Sequence, residues 1–406
     1  MKSNLRTIIG TLAIVALALA PSFATADWRE FRGPQGSSIA AGSQLPLQFS
    51  EKENIAWKVP LTGRGPSSPI VVGDRVFVTC SAGARQEKLI VICFDAKNGS
   101  EIWRRQFWAT GRTLTHSASA VAAPTPVSDG QRIFAFYSSN DLACLDLDGN
   151  LLWFRGLAHD FPQAGNDIGM SASPVISGKT VIVQIENYGD SFAAGIDTET
   201  GETRWRVART TMSNWCSPTL LKRADGKDVV LLQSPNILTA HDPLTGAQLW
   251  QYESECGTIP SSVAEGGRVY IPTKGITALE IGDSTAPKFL WESNQLNASA
   301  SSPIIDGKRV YTINRAGVIA AAEADTGKMI WQQRVGGSHW ATPVIADGHM
   351  FCINQEGKVR VVKLGDKKAE IVAESDFGEN IQGSPAVSGN AMFVRSDKHL
   401  WKIAKP

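Results

Sequence analysis

Residues Ser301–Trp331 read SSPIIDGKRVYTINRAGVIAAAEADTGKMIW. Four strand-like pieces lie in this stretch, Pro303–Ile305, Arg309–Asn314, Val318–Glu323 and Lys328–Trp331. Asp306-Gly307, Arg315-Ala316-Gly317 and Asp325-Thr326-Gly327 separate them. Each separator is a turn signal, because Gly tolerates positive φ and Asp can bond the backbone two residues on. Tight turns at this spacing predict a four-stranded antiparallel meander. One meander cannot bury both of its faces, so it needs neighbours like itself.

The chain supplies those neighbours. The Ser-x-Pro start recurs, whole or decayed, at Pro69, Pro126, Pro174, Pro218, Ser262, Pro303, Pro343 and Pro385. The terminal Trp recurs at Trp57, Trp103, Trp153, Trp205, Trp250, Trp291 and Trp331, with Val372 in the matching place of the next copy. Intervals of about 40 to 57 residues fall around those of propeller blades. The turn before the Trp keeps its chemistry at Asp95…Gly99, Asp146…Gly149, Asp197…Gly201, Asp242…Gly246 and Asp325…Gly327. The reading is an all-β, eight-bladed β-propeller of four-stranded antiparallel blades. Asn54–Leu61 reads as a lone outer strand ahead of the first inner strand, and the last copy ends before its own outer strand. The ring is therefore expected to close by pairing the two ends of the chain, which removes exposed lateral edges.

The pattern Ala/Leu-x-Asp-x-x-Thr-Gly-x-x-x-Trp resembles the tryptophan-docking motif of the PQQ-type β-propeller repeat. Quinoprotein alcohol dehydrogenases and the outer-membrane assembly propellers of the BamB type share that repeat. The opening WREFRGPQGSS, the Thr62–Gly65 stretch and the closing VRSDKHLWKI resemble a group of exported bacterial PQQ-like propellers. The resemblance implies the fold over nearly the whole chain, and structural tryptophans docking one blade on the next.

The first residues, MKSNLRTIIGTLAIVALALAPSFATA, pair a basic start at Lys2 and Arg6 with an apolar run and an Ala-x-Ala site ending at Ala26. They predict a signal peptide over 1–26 and an exported, periplasmic or secreted protein. Residues 27–52 lack strand periodicity and read as an extended arm anchored by Trp28 and Phe31, with the propeller over 53–406. No cysteine lies near the cleavage site, so the lipid anchor typical of BamB is not expected. No later segment is apolar for long enough to span a bilayer. Charges balance, 40 basic against 39 acidic residues, which argues against nucleic acid as partner. The six cysteines fit isolated buried thiols, with Cys216–Cys256 as the pair best placed for a bridge.

Connections between an outer strand and the next inner strand all open on one face of a propeller, as do the middle-hairpin turns. The longest are Phe107–Ala123 and Leu157–Met170. That face gathers Arg64, His116, Asp167, Trp215, Lys274, Arg315, His339, Trp340 and Arg395 as candidate ligand residues. Stacking on Trp215 or Trp340, with Arg64, Arg315 or Arg395 pairing to carboxylates, suits a planar or anionic ligand. Against this, turn amides such as Asn140 and Asn314 serve turn geometry whatever the function. His116 and His339 read first as hydrogen-bonded loop residues, and the two Trp as plugs of the channel.

Two functions follow. The first is a non-catalytic scaffold that binds an envelope or extracellular protein, peptide or glycan, alone as a monomer or within a complex, with no cofactor or metal. The second, from the resemblance, is a quinoprotein dehydrogenase or PQQ-binding protein. That enzyme needs PQQ, a cation such as calcium to polarise the quinone, and a carboxylate base. Dehydrogenases of the family carry a vicinal Cys-Cys pair and long insertions; this chain has neither. Asp167, Glu186, Asp190 and Asp397 stand on the loop face, but no spacing marks them as a calcium set. His-Glu-x-x-His, Gly-x-Ser-x-Gly and phosphate-loop patterns do not occur.

Overall fold

The computed structural model describes residues 27–165, 168–223, 225–282 and 286–406. The proposed leader over 1–26 and the candidate Asp167 lie outside the described residues. Eight antiparallel four-stranded meanders form a ring, an eight-bladed β-propeller. The inner strands are, in blade order, Ile70–Val72, Val127–Ser128, Val175–Ser177, Thr219–Lys222, Val263–Glu265, Ile304–Asp306, Val344–Ala346 and Ala386–Ser388.

The sixth blade is the stretch quoted above. Its strands run Ile304–Asp306, Arg309–Ile313, Val318–Glu323 and Met329–Arg334, so the outer strand continues past Trp331. Burial follows position in the blade. Arg75–Ala82 is buried at every residue but its ends, because neighbouring blades cover both faces. Thr203–Ala208, at the periphery, buries Trp205 and leaves its flanks exposed.

The outer strand of the eighth sheet comes from the other end of the chain. Ile55–Pro60 pairs antiparallel with His399–Ile403, setting Lys58 opposite Trp401. Apolar clusters then fill the seams. One joins Phe77 and Trp103 of the first blade to Ala135 and Tyr137 of the second.

The peripheral Trp side chains cross these seams. Indole N–H groups of Trp103, Trp153, Trp205, Trp291 and Trp331 donate to carbonyls of the next blade, at Leu147, Thr198, Pro243, Ala324 and Gly365. The other side of each ring meets its own blade, as in Trp103 on Phe77 with centroids 5.8 Å apart. Val372 does not hold the matching place in the seventh blade. A bulge lies between the pairs Val361–Ala373 and Val362–Ile371, just as one follows Ala321–Trp331, so Ala373 is the equivalent of Trp331. Val372 itself is exposed.

Residues 27–44 cross the face opposite the long connections. Asp27 Oδ1 accepts the N–H of Gly73, and Gln44 N–H donates to Asn390 Oδ1; both partners sit in first-hairpin turns. Trp28 exchanges both backbone hydrogen bonds with Val71. Ile39–Ala40 adds a parallel strand to Val344–Ala346. Phe49 packs on Phe377 with ring centroids 4.8 Å apart.

All six cysteines are buried and free. Cys216 and Cys256 are not bridged: the Cys216 thiol lies 3.3 Å from the carbonyls of Gly257 and Pro260, and the Cys256 thiol 3.2 Å from that of Ser254.

Candidate functional site

The residue before each inner-strand Pro (before Ser262 in the fifth blade) is Ser or Thr, and these eight side chains ring the axis. In seven of the eight the backbone N–H donates to the hydroxyl of the next blade's residue: Ser68 to Thr125, Thr125 to Ser173, Ser173 to Ser217, Ser217 to Ser261, Ser261 to Ser302, Ser302 to Thr342 and Thr342 to Ser384, at 2.9 to 3.1 Å. A small hydroxyl is needed here, because a buried N–H without a partner costs about 1–3 kcal/mol. At the seam between the eighth blade and the first, Arg395 donates instead to Ser67 Oγ at 2.7 Å and Thr79 O at 2.5 Å. Sequence reading missed this belt, although the Ser/Thr-Pro steps carry it.

The belt surrounds a cavity of about 320 Å³. Phe31, on the arm that crosses the far face, lines it from that side. His116, Ile168, Trp215, Ile259, Trp340 and Gln382 line it toward the loop face. The two long connections meet there. His116 N–H donates to Ile168 O at 3.0 Å, and the Trp215 indole N–H to Gly169 O at 2.9 Å.

Of the sequence candidates, His116, Trp215 and Trp340 come together in this cavity. Arg64, Arg315 and Lys274 are exposed and lie outside its lining. Arg64 donates to Ser117 O at 2.7 Å, Arg315 stacks over Trp340 with its guanidinium carbon 4.2 Å from the ring centroid, and Lys274 sits 3.5 Å from Glu255. Arg395 does not reach the mouth: it is 1 % exposed and is spent on the seam. His339 is likewise in the wall, its Nε2 2.9 Å from Gly336 O, and burial holds its pKa below the usual imidazole value. Glu186 is consumed in a buried ion pair, Oε1 to Arg209 Nε at 2.9 Å, which sequence reading did not find. Asp397 accepts from Asn380.

These features define an eight-bladed propeller whose axial cup is lined, among the described residues, by no Asp, Glu, Lys or Arg. By sequence the chain belongs to the family described as "Outer membrane protein assembly factor BamB", whose model matches residues 47–160, 87–272 and 280–369. BamB of Burkholderia pseudomallei strain K96243 is 23 % identical over 358 residues, covering 82 % of each chain. The crystal structure of BamB from Moraxella catarrhalis superposes with a TM-score of 0.64 at 17 % identity, over 86 % of this chain and 96 % of that one. Quinohemoprotein alcohol dehydrogenase from Comamonas testosteroni superposes at 0.67 and 11 % identity, over 94 % of this chain and 81 % of the enzyme. The structural likenesses show the shared fold.

The same fold houses quinoproteins, in which a cup of this kind would have to hold PQQ and a cation. PQQ carries three carboxylates, and the cation takes oxygen ligands of which carboxylates are the strongest. Among the described residues the cup lining holds no Asp, Glu, Lys or Arg. Among them, too, no three His, Cys, Asp or Glu side chains are grouped to hold a metal. Buried charge without a counter-charge is strongly disfavoured. The described residues of the cup do not fit the pair.

Proposed function

We propose that this protein is an exported binding scaffold, processed near Ala26 and acting in the periplasm or outside the cell. Its arm over 27–52 backs the propeller over 53–406. It engages a protein, peptide or glycan partner through the loop face and axial mouth. The cup rimmed by Trp215 and Trp340 carries this reading, because it offers aromatic contact surface and, among the described residues, its lining holds no Asp, Glu, Lys or Arg. Kinship with a family of assembly factors supports it. No helix among the described residues is long and apolar enough to cross a membrane.

The test is capture from an envelope extract on immobilised protein, followed by reconstitution with each purified partner. A partner that binds the wild type and loses about tenfold in affinity with Trp215→Ala or Trp340→Ala supports the reading. Titration with PQQ and calcium, read by quinone absorbance and dye-linked alcohol oxidation, provides the opposing arm. Saturable PQQ binding with turnover overturns the scaffold and establishes a dehydrogenase.

A further inference from the structure

The lining of the cup also restricts what chemistry can fill it. We propose that the axial cup binds the terminal one or two rings of a neutral saccharide, stacked on Trp215 and Trp340 and hydrogen-bonded by the hydroxyl belt. This rests on the binding reading above and names the ligand class of the same mouth.

The belt determines the polar half of the argument. Each belt oxygen except that of Ser68 accepts an N–H from the preceding blade. Among the described residues none of these hydroxyls donates onward, so their protons remain for a guest in the cavity they line. His116 adds a donor of the same kind. Its Nδ1 accepts the Ala118 N–H at 3.1 Å, which places the proton of the neutral ring on Nε2. The Gln382 amide supplies an acceptor beside them.

The indoles determine the apolar half. Both N–H groups are committed to the protein, Trp215 to Gly169 O at 2.9 Å and Trp340 to Gln355 Oε1 at 3.2 Å. What remains to a guest is ring surface. Arg315 occupies one face of Trp340 at 4.2 Å, which steadies the ring.

Three guests can be compared. An anionic guest loses its hydration and meets no counter-charge among the described residues of the lining. An aliphatic or aromatic peptide side chain strips water from the belt O–H groups and gives nothing back, the costly case for buried donors. A neutral sugar presents oxygens around its rim for the belt and C–H faces for the indoles. A cavity of about 320 Å³ is at the small end of ligand pockets, which limits the guest to a short terminal segment. Phe31 and the arm lie across the far face, so a chain enters by its end and does not thread through.

The experiment is calorimetric titration of the purified protein with maltose, cellobiose and N,N′-diacetylchitobiose, with tryptophan fluorescence as a second readout. Glucuronic acid, PQQ and N-acetyl-leucinamide serve as counter-probes. The expected result is saturable one-to-one binding of at least one neutral disaccharide, not displaced by the counter-probes. Affinity falls about tenfold in Trp215→Ala and Trp340→Ala and recovers in part in Trp340→Phe. Both residues are half-buried, and an unchanged melting temperature shows that each variant is folded. The inference is overturned if no disaccharide binds, if the folded variants bind as the wild type does, or if a counter-probe displaces the sugar. A cup that ignores sugars while partner capture still depends on Trp215 overturns the saccharide alone and leaves the scaffold standing.

Discussion

The indole N–H of Trp57 donates to the carbonyl of Ala96 at 3.3 Å, and the ring lies against Gly99. Trp57 sits on the strand that completes the eighth sheet, while Ala96 and Gly99 belong to the first blade, so one side chain couples the two ends of the ring. The same relation recurs around the molecule. At Gly246, φ is +73° and an added Cβ would stand 2.7 Å from the Trp205 ring, so both backbone conformation and contact demand Gly. Removing a buried Trp costs about 3–5 kcal/mol. Trp205→Ala is therefore expected to lose that much in urea unfolding, and Gly246→Ala about 1–3 kcal/mol. Trp57→Ala should lose a similar amount to Trp205→Ala and also expose the strand Ile55–Pro60 to proteolysis. Wild-type stability and protease resistance in Trp57→Ala would show that this contact does not hold the ring.

The architecture was legible because its signals are local. Asp-Gly turns, β-branched strands and a repeated Trp each specify one step of a meander, and eight repetitions remove ambiguity about the whole. The site was legible only in outline. Sequence order says which loops share a face, and His116, Trp215 and Trp340 from those loops line one cavity. It does not say whether a side chain at a strand end points to the axis or into a seam. Arg395 and His339 went into the wall for that reason. Val372 was misplaced by one residue because a bulge shifts register without leaving a mark in composition. The belt was overlooked because Ser or Thr before Pro served only to mark the start of each repeat, whereas its role depends on the blade next door.

A buried ion pair locks the third blade to the fourth. Glu186 Oε1 meets Arg209 Nε at 2.9 Å and Ser234 Oγ at 2.6 Å, and Arg209 also reaches Thr239 Oγ1 at 2.6 Å. Both side chains are almost wholly buried, 0 % and 4 % exposed. Breaking such a pair from one side leaves an uncompensated charge and costs about 3–5 kcal/mol. Glu186→Ala and Arg209→Ala are each expected to lose this amount. The double variant Glu186→Gln/Arg209→Met should lose less than the sum of its single changes, because neither charge is then stranded. Strict additivity in urea unfolding would mean that the two groups do not act as a pair.

The arm is expected to hold more tightly in mild acid than at neutral pH. Burial pushes the Glu30 carboxyl up from 4.5 to about 7, with the Gln35 backbone N–H and the Arg32 guanidinium opposing it. Its pKa in the folded state then exceeds that in the unfolded state, so the folded state binds the extra proton. The contribution is fully present below about 4.5 and is lost as pH rises through about 7, amounting to at most about 3 kcal/mol. Glu30→Gln should remove this part of the pH dependence and raise the melting temperature at pH 8 relative to wild type. The same wild-type-to-variant difference at pH 5 and pH 8 would contradict the assignment.

The six thiols give the last prediction. Every cysteine is buried and unpaired, and burial pushes the Cys93, Cys144 and Cys256 thiols up to about 12, away from the reactive thiolate. Disulfide formation would need movement in packed strands, since Cys80, Cys93, Cys144 and Cys352 lie inside sheets that neighbouring blades cover. Cys216 is further held by the Gln233 amide, 3.2 Å from its sulfur. A thiol reagent is therefore expected to find no reactive group in the native protein and all six in denaturant, even after export to an oxidising compartment. Adding a reductant should leave the melting temperature unchanged. A drop in melting temperature on reduction, or four thiols counted in denaturant in place of six, would place a bridge in this fold, with Cys216 and Cys256 the first pair to examine by peptide mapping.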